Sequence, residues 1–198
     1  MATINEISEQ LYKLNENIVL IYALNSTGKT RLSVAYKDHT KAINDNKHAG
    51  VYYNAFSEDL FVWDNDEKND NANLRLTVVP SNLNQFHSFL VEDVKMIREK
   101  LEPYHPKYNF KLNQFKNPED GIESITFFVD EENELPIKIS RGEERIFVWC
   151  FFLALFEVDG WANEQNAHIL IDDPVSSLDD HNIFITARSI LELVKDNY

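Results

Sequence analysis

Between Ile18 and Thr30 the chain passes from an unbroken apolar run, Ile18-Val19-Leu20-Ile21-Tyr22, into Ala23-Leu24-Asn25-Ser26-Thr27-Gly28-Lys29-Thr30. That junction constrains the fold more than any other stretch. A short β-branched run reads as a strand buried on both faces, as in a parallel sheet. Asn15-Glu16-Asn17 before it is a turn signal, and Arg31 to Tyr36 after it continues with helical spacing. A strand, a loop ending Gly-Lys-Thr and a helix form a phosphate-binding context. Backbone N–H groups of the loop and the helix start face phosphate oxygens. On this reading Asn25, Ser26, Thr27, Gly28, Lys29, Thr30 and Arg31 bind nucleotide. Lys29 contributes a point charge, and the Thr30 hydroxyl ligates Mg²⁺. Ala23 and Ser26 occupy places where such loops usually carry glycine, so Gly28 alone supplies conformational freedom.

A second apolar run, His168-Ile169-Leu170-Ile171, ends in Asp172 and Asp173. Ligands of parallel α/β sheets bind at the carboxyl ends of strands, so this run should deliver both acids beside the phosphate loop. Asp172 is the expected Mg²⁺ residue, acting through water. Asp173 is the expected catalytic group, orienting or activating the attacking water, with Lys29 as its electrostatic partner. Asp-Asp-Pro also suits a plain turn, yet two acids at a sheet end are costly without a cation.

A third segment, Ser140-Arg141-Gly142-Glu143, lies about thirty residues before the acidic pair and opens the apolar run Ile146 to Phe156. Ser140 with Glu143 three residues on makes a capping box, which explains the pattern without any ligand. The order of the three segments gives it a second reading. It is the order of an ABC-type ATPase, in which Ser140 and Gly142 at a helix start reach the γ-phosphate held by a second copy of the chain.

Asp172-Asp173-Pro174-Val175-Ser176-Ser177-Leu178-Asp179 closely resembles the matching segment of the bacterial anticodon-nuclease ATPases and their relatives in anti-phage defence. Tyr52-Tyr53-Asn54-Ala55-Phe56 is similar to the family's segment after the third core strand, with Asn54 near its nucleotide-sensing loop. The resemblance implies an α/β P-loop NTPase of ABC type, with a mostly parallel core sheet and a small inserted helical lobe. It implies ATP and Mg²⁺ as cofactors, and Ser177 and Asp179 in the loop that touches the opposing subunit. It also implies an ATP-dependent homodimer that switches an effector protein or region in anti-phage defence or a toxin system. A nucleotide-gated interaction module with little turnover, and a DNA-repair ATPase of the SMC-like class, are the competing readings. The family pattern continues with a further core strand and a switch histidine, so the expected domain, 1–198, is incomplete at its C-terminus. Its core is expected at 1–80 and 136–198, with the lobe at about 80–135.

The 198 residues suit one sizeable α/β domain. A net charge of −14, with acids concentrated in Ser57 to Asp70 and Pro118 to Glu134, argues against direct nucleic-acid binding. The run Ile146–Phe156 is too short for a membrane span and carries the lone Cys150, which reads as a buried thiol in a reducing compartment. With no secretory start, a cytoplasmic location is expected. Between the motifs, Leu74 to Val79 alternates as a strand and Asn84 to Leu101 has the spacing of one amphipathic helix. Ser124–Val129 and Pro136–Ile139 read as a hairpin. The six histidines show no metal-ligand spacing.

Overall fold

The computed structural model describes residues 2–14, 16, 18–24, 27–43, 50–54, 60–81, 84–158, 168–175 and 178–195. The chain divides into two compact units. One comprises 1–55, 162–176 and 186–198, and the other comprises 56–161 and 177–185. The expected lobe at about 80–135 thus lies inside a larger unit that also takes in the Ser140 segment.

The first unit carries α1 (Ile4–Lys13), α2 (Lys29–Ile43), β1 (Gly50–Asn54) and β6 (His168–Asp172). Thr3 caps α1 through a reciprocal capping box with Glu6. α2 packs along α1 and also touches β1 and β6. β1 and β6 pair in parallel, from Gly50 opposite His168 to Asn54 opposite Asp172. This is the only parallel pairing among the described residues. The expected strand Ile18–Tyr22 takes no part in it. Those residues lie outside any strand, and Leu20 and Tyr22 are 92% and 94% exposed. The apolar run predicted a buried strand because such side chains favour one. Burial needs neighbours on both faces, and a two-stranded ribbon supplies too few. Leu170 and Ile171 of β6 are half-buried for the same reason.

The second unit is built on an antiparallel sheet. Its strands are β2 (Phe61–Asp64), β3 (Arg75–Val78), β4 (Asn109–Gln114) and β5 (Ile122–Phe128), in the order β2-β3-β5-β4. The described residues therefore give a mixed α/β chain whose larger sheet is antiparallel, where a mostly parallel core was expected. β5 buries five of its seven residues and lies between β3 and β4. The expected hairpin reduces to one bridge, Phe127 to Ile137, on the edge of β5 that β3 pairs further along, while β4 pairs along the other edge. The expected single helix is two, α3 (Asn84–Glu92) and α4 (Lys95–Leu101). The break at Asp93-Val94 is a tight turn in which Met96 N–H donates to the Asp93 carbonyl.

α5 (Arg141–Phe156) is apolar on every side, and all its residues from Ile146 to Phe156 are buried. A helix of that composition must be enclosed. It packs against α3 and α4, and its rings meet those of the sheet. Phe147 lies edge-on to Phe127 at 4.9 Å and to Phe110 at 5.0 Å, and Phe151 meets Phe61 at 5.5 Å. Such contacts add to area burial by about 0.5–1.5 kcal/mol each. Cys150 is buried as expected, and burial pushes its thiol pKa up. The last helix, α6 (Asp180–Lys195), has its first six residues in the second unit and the rest in the first. Among the described residues no helix is long and apolar enough to cross a membrane.

His87 of α3 is 2% exposed; its Nδ1 accepts the Ile122 N–H at 3.4 Å and its ring meets Phe151 at 5.4 Å. Gly121 makes this approach feasible. Its φ is +85°, and a Cβ there would stand 2.7 Å from the Asn84 carbonyl and 3.1 Å from His87 Nδ1. Burial lowers the His87 pKa to about 4. A histidine with a depressed folded pKa takes up its proton on unfolding, so its neutral form stabilises the fold above about pH 6.5. That contribution is lost as pH falls from about 6.5 toward 4. Urea unfolding across this range should show a steeper loss of stability for the native sequence than for His87→Gln. The difference should reach about 2–3 kcal/mol near pH 4.

Candidate functional site

The phosphate-loop candidate is built from a turn and a helix start. The Thr27 N–H and hydroxyl both donate to the Leu24 carbonyl, at 3.4 and 2.6 Å, closing the turn. Gly28 follows with φ +101°, a conformation L side chains rarely adopt. Its carbonyl accepts the Leu32 N–H at 2.9 Å, which begins α2. The glycine is thus where the chain must change direction. Lys29 and Thr30 occupy the first helical positions, and Arg31 follows. Asn25 and Ser26 lie outside the described residues.

The Thr30 hydroxyl donates to Asp172 Oδ2 at 3.2 Å, across 142 residues of chain. Asp172 is the last residue of β6 and stands opposite Asn54 in the parallel register. The loop helix, the strand-end acid and Asn54 of β1 therefore meet at one end of the parallel pair. Asp173 follows at once in the left-handed region, φ +52°. A non-glycine residue held there stores strain of order 1 kcal/mol, a feature that clusters at functional sites. Thr30 Oγ and Asp172 Oδ2 are hard oxygen donors within reach of one another, the donor type that Mg²⁺ prefers. A cleft between α1 and α2 opens beside Thr30 and Arg31, with Ser8, Val34 and Asp38 also in its walls.

Ser140 and Gly142 belong to the other unit. Ser140 caps α5: its Oγ accepts the Glu143 N–H at 3.3 Å, and its own N–H donates to Glu143 Oε2 at 2.8 Å. The capping box is therefore real, and Ser140 remains exposed, with its hydroxyl proton not consumed by the cap. Gly142 sits in the first turn of the helix. Asp179 caps α6, accepting the Asn182 N–H and the Asn182 side-chain amide, each at 2.9 Å. A helix-capping task thus occupies the carboxylate expected at the subunit contact. Ser177, its expected neighbour there, lies outside the described residues.

Two residues of the Ser140 region were not singled out from sequence. Trp63 Nε1–H donates to Glu144 Oε2 at 2.8 Å, and Lys138 Nζ lies 5.3 Å from the centre of the same indole ring. A half-buried tryptophan needs a partner for its N–H, which is the signal that points to Trp63. Nothing local in the sequence names Glu144 as that partner.

Over 91% of its length the chain is 34% identical, across 212 aligned residues, to the anticodon nuclease of Escherichia coli. The resemblance read from Asp172 to Asp179 therefore extends through nearly the whole chain. The chain spans about half the length of that relative, 52%. No protein-family model matches the chain, and no solved structure does.

Gly28 and Gly142 should respond oppositely to alanine. Around Gly28 there is room, since an added Cβ would meet only Ile4 Cδ1 at 3.9 Å, but the positive φ strains any L side chain. Gly28→Ala is expected to cost about 1–2 kcal/mol. Gly142→Ala, at a helical position, should be neutral or stabilise by up to about 1 kcal/mol. Urea unfolding of the two variants checks both signs.

Proposed function

We propose that this chain is an ATP-binding and ATP-hydrolysing switch module of the ABC type, which dimerises head-to-tail around ATP and Mg²⁺. The observation that carries this reading is the 3.2 Å pairing of Thr30 with Asp172, which sets the start of the Gly-Lys-Thr helix against a strand-end carboxylate. A phosphate loop and a metal-binding acid need that juxtaposition, and a chance Gly-Lys-Thr turn does not. Lys29 and the N–H groups of residues 25–31 hold the phosphates; Thr30 and Asp172 hold Mg²⁺. When bound, the ion neutralises charge on the phosphate oxygens. Asp173 orients the attacking water. Ser140 and Gly142 serve the nucleotide of the second copy, with Ser177 and Asp179 at the contact between copies.

The module controls an effector in bacterial anti-phage defence or a toxin system, from the cytoplasm. The name of the E. coli relative supports that setting. The net charge of −14 favours a protein effector over direct nucleic-acid contact, because binding a phosphate backbone rests on clustered cations. A second reading, a nucleotide-gated interaction module with little turnover, draws on Ala23 in the loop and on the short Asp173 side chain. The two readings part on whether phosphate is released.

Calorimetric titration with Mg·ATP and a phosphate-release assay test the proposal together. ATP binding should fall at least tenfold in Lys29→Ala. Asp173→Asn should keep binding and lose about 10²–10⁴-fold in turnover, the usual contribution of a general base. Binding with no phosphate release from the native sequence selects the low-turnover reading. Absence of ATP binding, or binding indifferent to Lys29→Ala, overturns both.

A further inference from the structure

The Ser140-Arg141-Gly142-Glu143 turn is held from both sides by one side chain. Glu144, just after the turn, accepts the Trp63 indole N–H at 2.8 Å. Lys138, two residues before Ser140, places its ammonium 5.3 Å from the centre of the same ring and donates to Asn65 Oδ1 at 2.8 Å. Trp63 lies in β2, and its ring rests 5.8 Å from Phe127, which is fully buried in the sheet. The ring is thereby fixed to the core on one face and to both flanks of the turn by its edge and π-surface. Trp63, Lys138 and Glu144 all belong to one unit, so the arrangement is internal to it.

The capping box cannot do this job. It closes the turn on itself through Ser140 and Glu143, fixing the turn's shape but not its aim relative to the sheet. Aim requires a bond to another element, and the indole-to-carboxylate bond is charge-assisted and directional. Lys138 over the ring face adds a cation–π contact that holds the segment entering the turn.

We propose that Trp63 is the positioning residue of the Ser140–Gly142 turn, setting where the start of α5 points without itself touching nucleotide. This rests on the reading of that turn as the contact to a second copy's nucleotide. The consequence is a separation of functions: loss of the Trp63 bond should spare ATP binding at Lys29 and weaken only the closure of two copies.

The test uses the full chain with Trp63→Phe, Glu144→Ala, Glu144→Gln and the Trp63→Phe/Glu144→Ala double variant. Trp63→Phe keeps an aromatic ring beside Phe127 and Lys138 and deletes the N–H donor together with part of the ring, which is why the Glu144 variants, which leave the ring intact, are read beside it. Amide hydrogen exchange in the absence of nucleotide should accelerate at residues 141–145 in Trp63→Phe, with the rest of α5 unchanged. The dissociation constant of the ATP-bound dimer should rise about tenfold or more, while ATP affinity changes less than about twofold. Glu144→Gln, which retains an acceptor, should recover most of the loss seen in Glu144→Ala. The double variant should be no worse than either single one. Exchange at 141–145 that matches the native chain overturns the proposal whatever the nucleotide does. So do additive losses, or parallel losses of ATP affinity and dimerisation. Faster exchange in a chain that never dimerises with ATP would leave Trp63 as the holder of the turn and refute its reading as a nucleotide contact.

Discussion

Two oxygen atoms 3.2 Å apart, Thr30 Oγ and Asp172 Oδ2, connect parts of the chain separated by 142 residues. A sequence that merely carried a Gly-Lys-Thr turn and an Asp-Asp-Pro turn would have no reason to bring them together. The bond depends on the parallel pairing of β1 with β6, which ends at Asn54 and Asp172, and on Gly28, whose positive φ lets α2 begin where it does. Hard oxygen donors, a nearby lysine and a helix start form the minimum that phosphate and Mg²⁺ require.

The second unit solves a different problem. Its core is one helix with no polar face, and the chain encloses it with a four-stranded antiparallel sheet and the α3 and α4 helices. Aromatic edges fill the space between, and a neutral His87 fits only because position 121 is glycine. The same core anchors the start of α5. α5 begins at an exposed capped turn, and Trp63 ties that turn to the sheet on which the core is built.

The local chemistry was readable in the sequence wherever it depends on neighbours in the chain. The Ser140–Glu143 capping box, the buried helix from Ile146, the β3 strand and the helix after Gly-Lys-Thr follow from spacing alone. Pairing was less legible because it depends on competition between distant segments. Pro136–Ile139 looked like the partner of β5 but contributes one bridge; the full pairings go to β3 and to Asn109–Gln114, where only Phe110 and Leu112 alternate with Lys111 and Asn113. Ile18–Tyr22 has the composition of a buried strand, yet composition cannot supply the neighbours that would bury it. The meeting of Thr30 with Asp172 was inferred from motif order, and the role of Trp63 was not, because a hydrogen bond over 81 residues leaves no local pattern.

On the proposed function two copies of this chain close around ATP, each giving its Ser140 turn to the other's phosphate loop. The most direct measurement is molar mass by light scattering, with and without Mg·ATP, using Asp173→Asn to stall turnover. A monomer that becomes a dimer only with ATP, and fails to do so when Lys29→Ala is added, is the predicted result. A mass indifferent to ATP, in protein shown by calorimetry to bind it, would contradict the account.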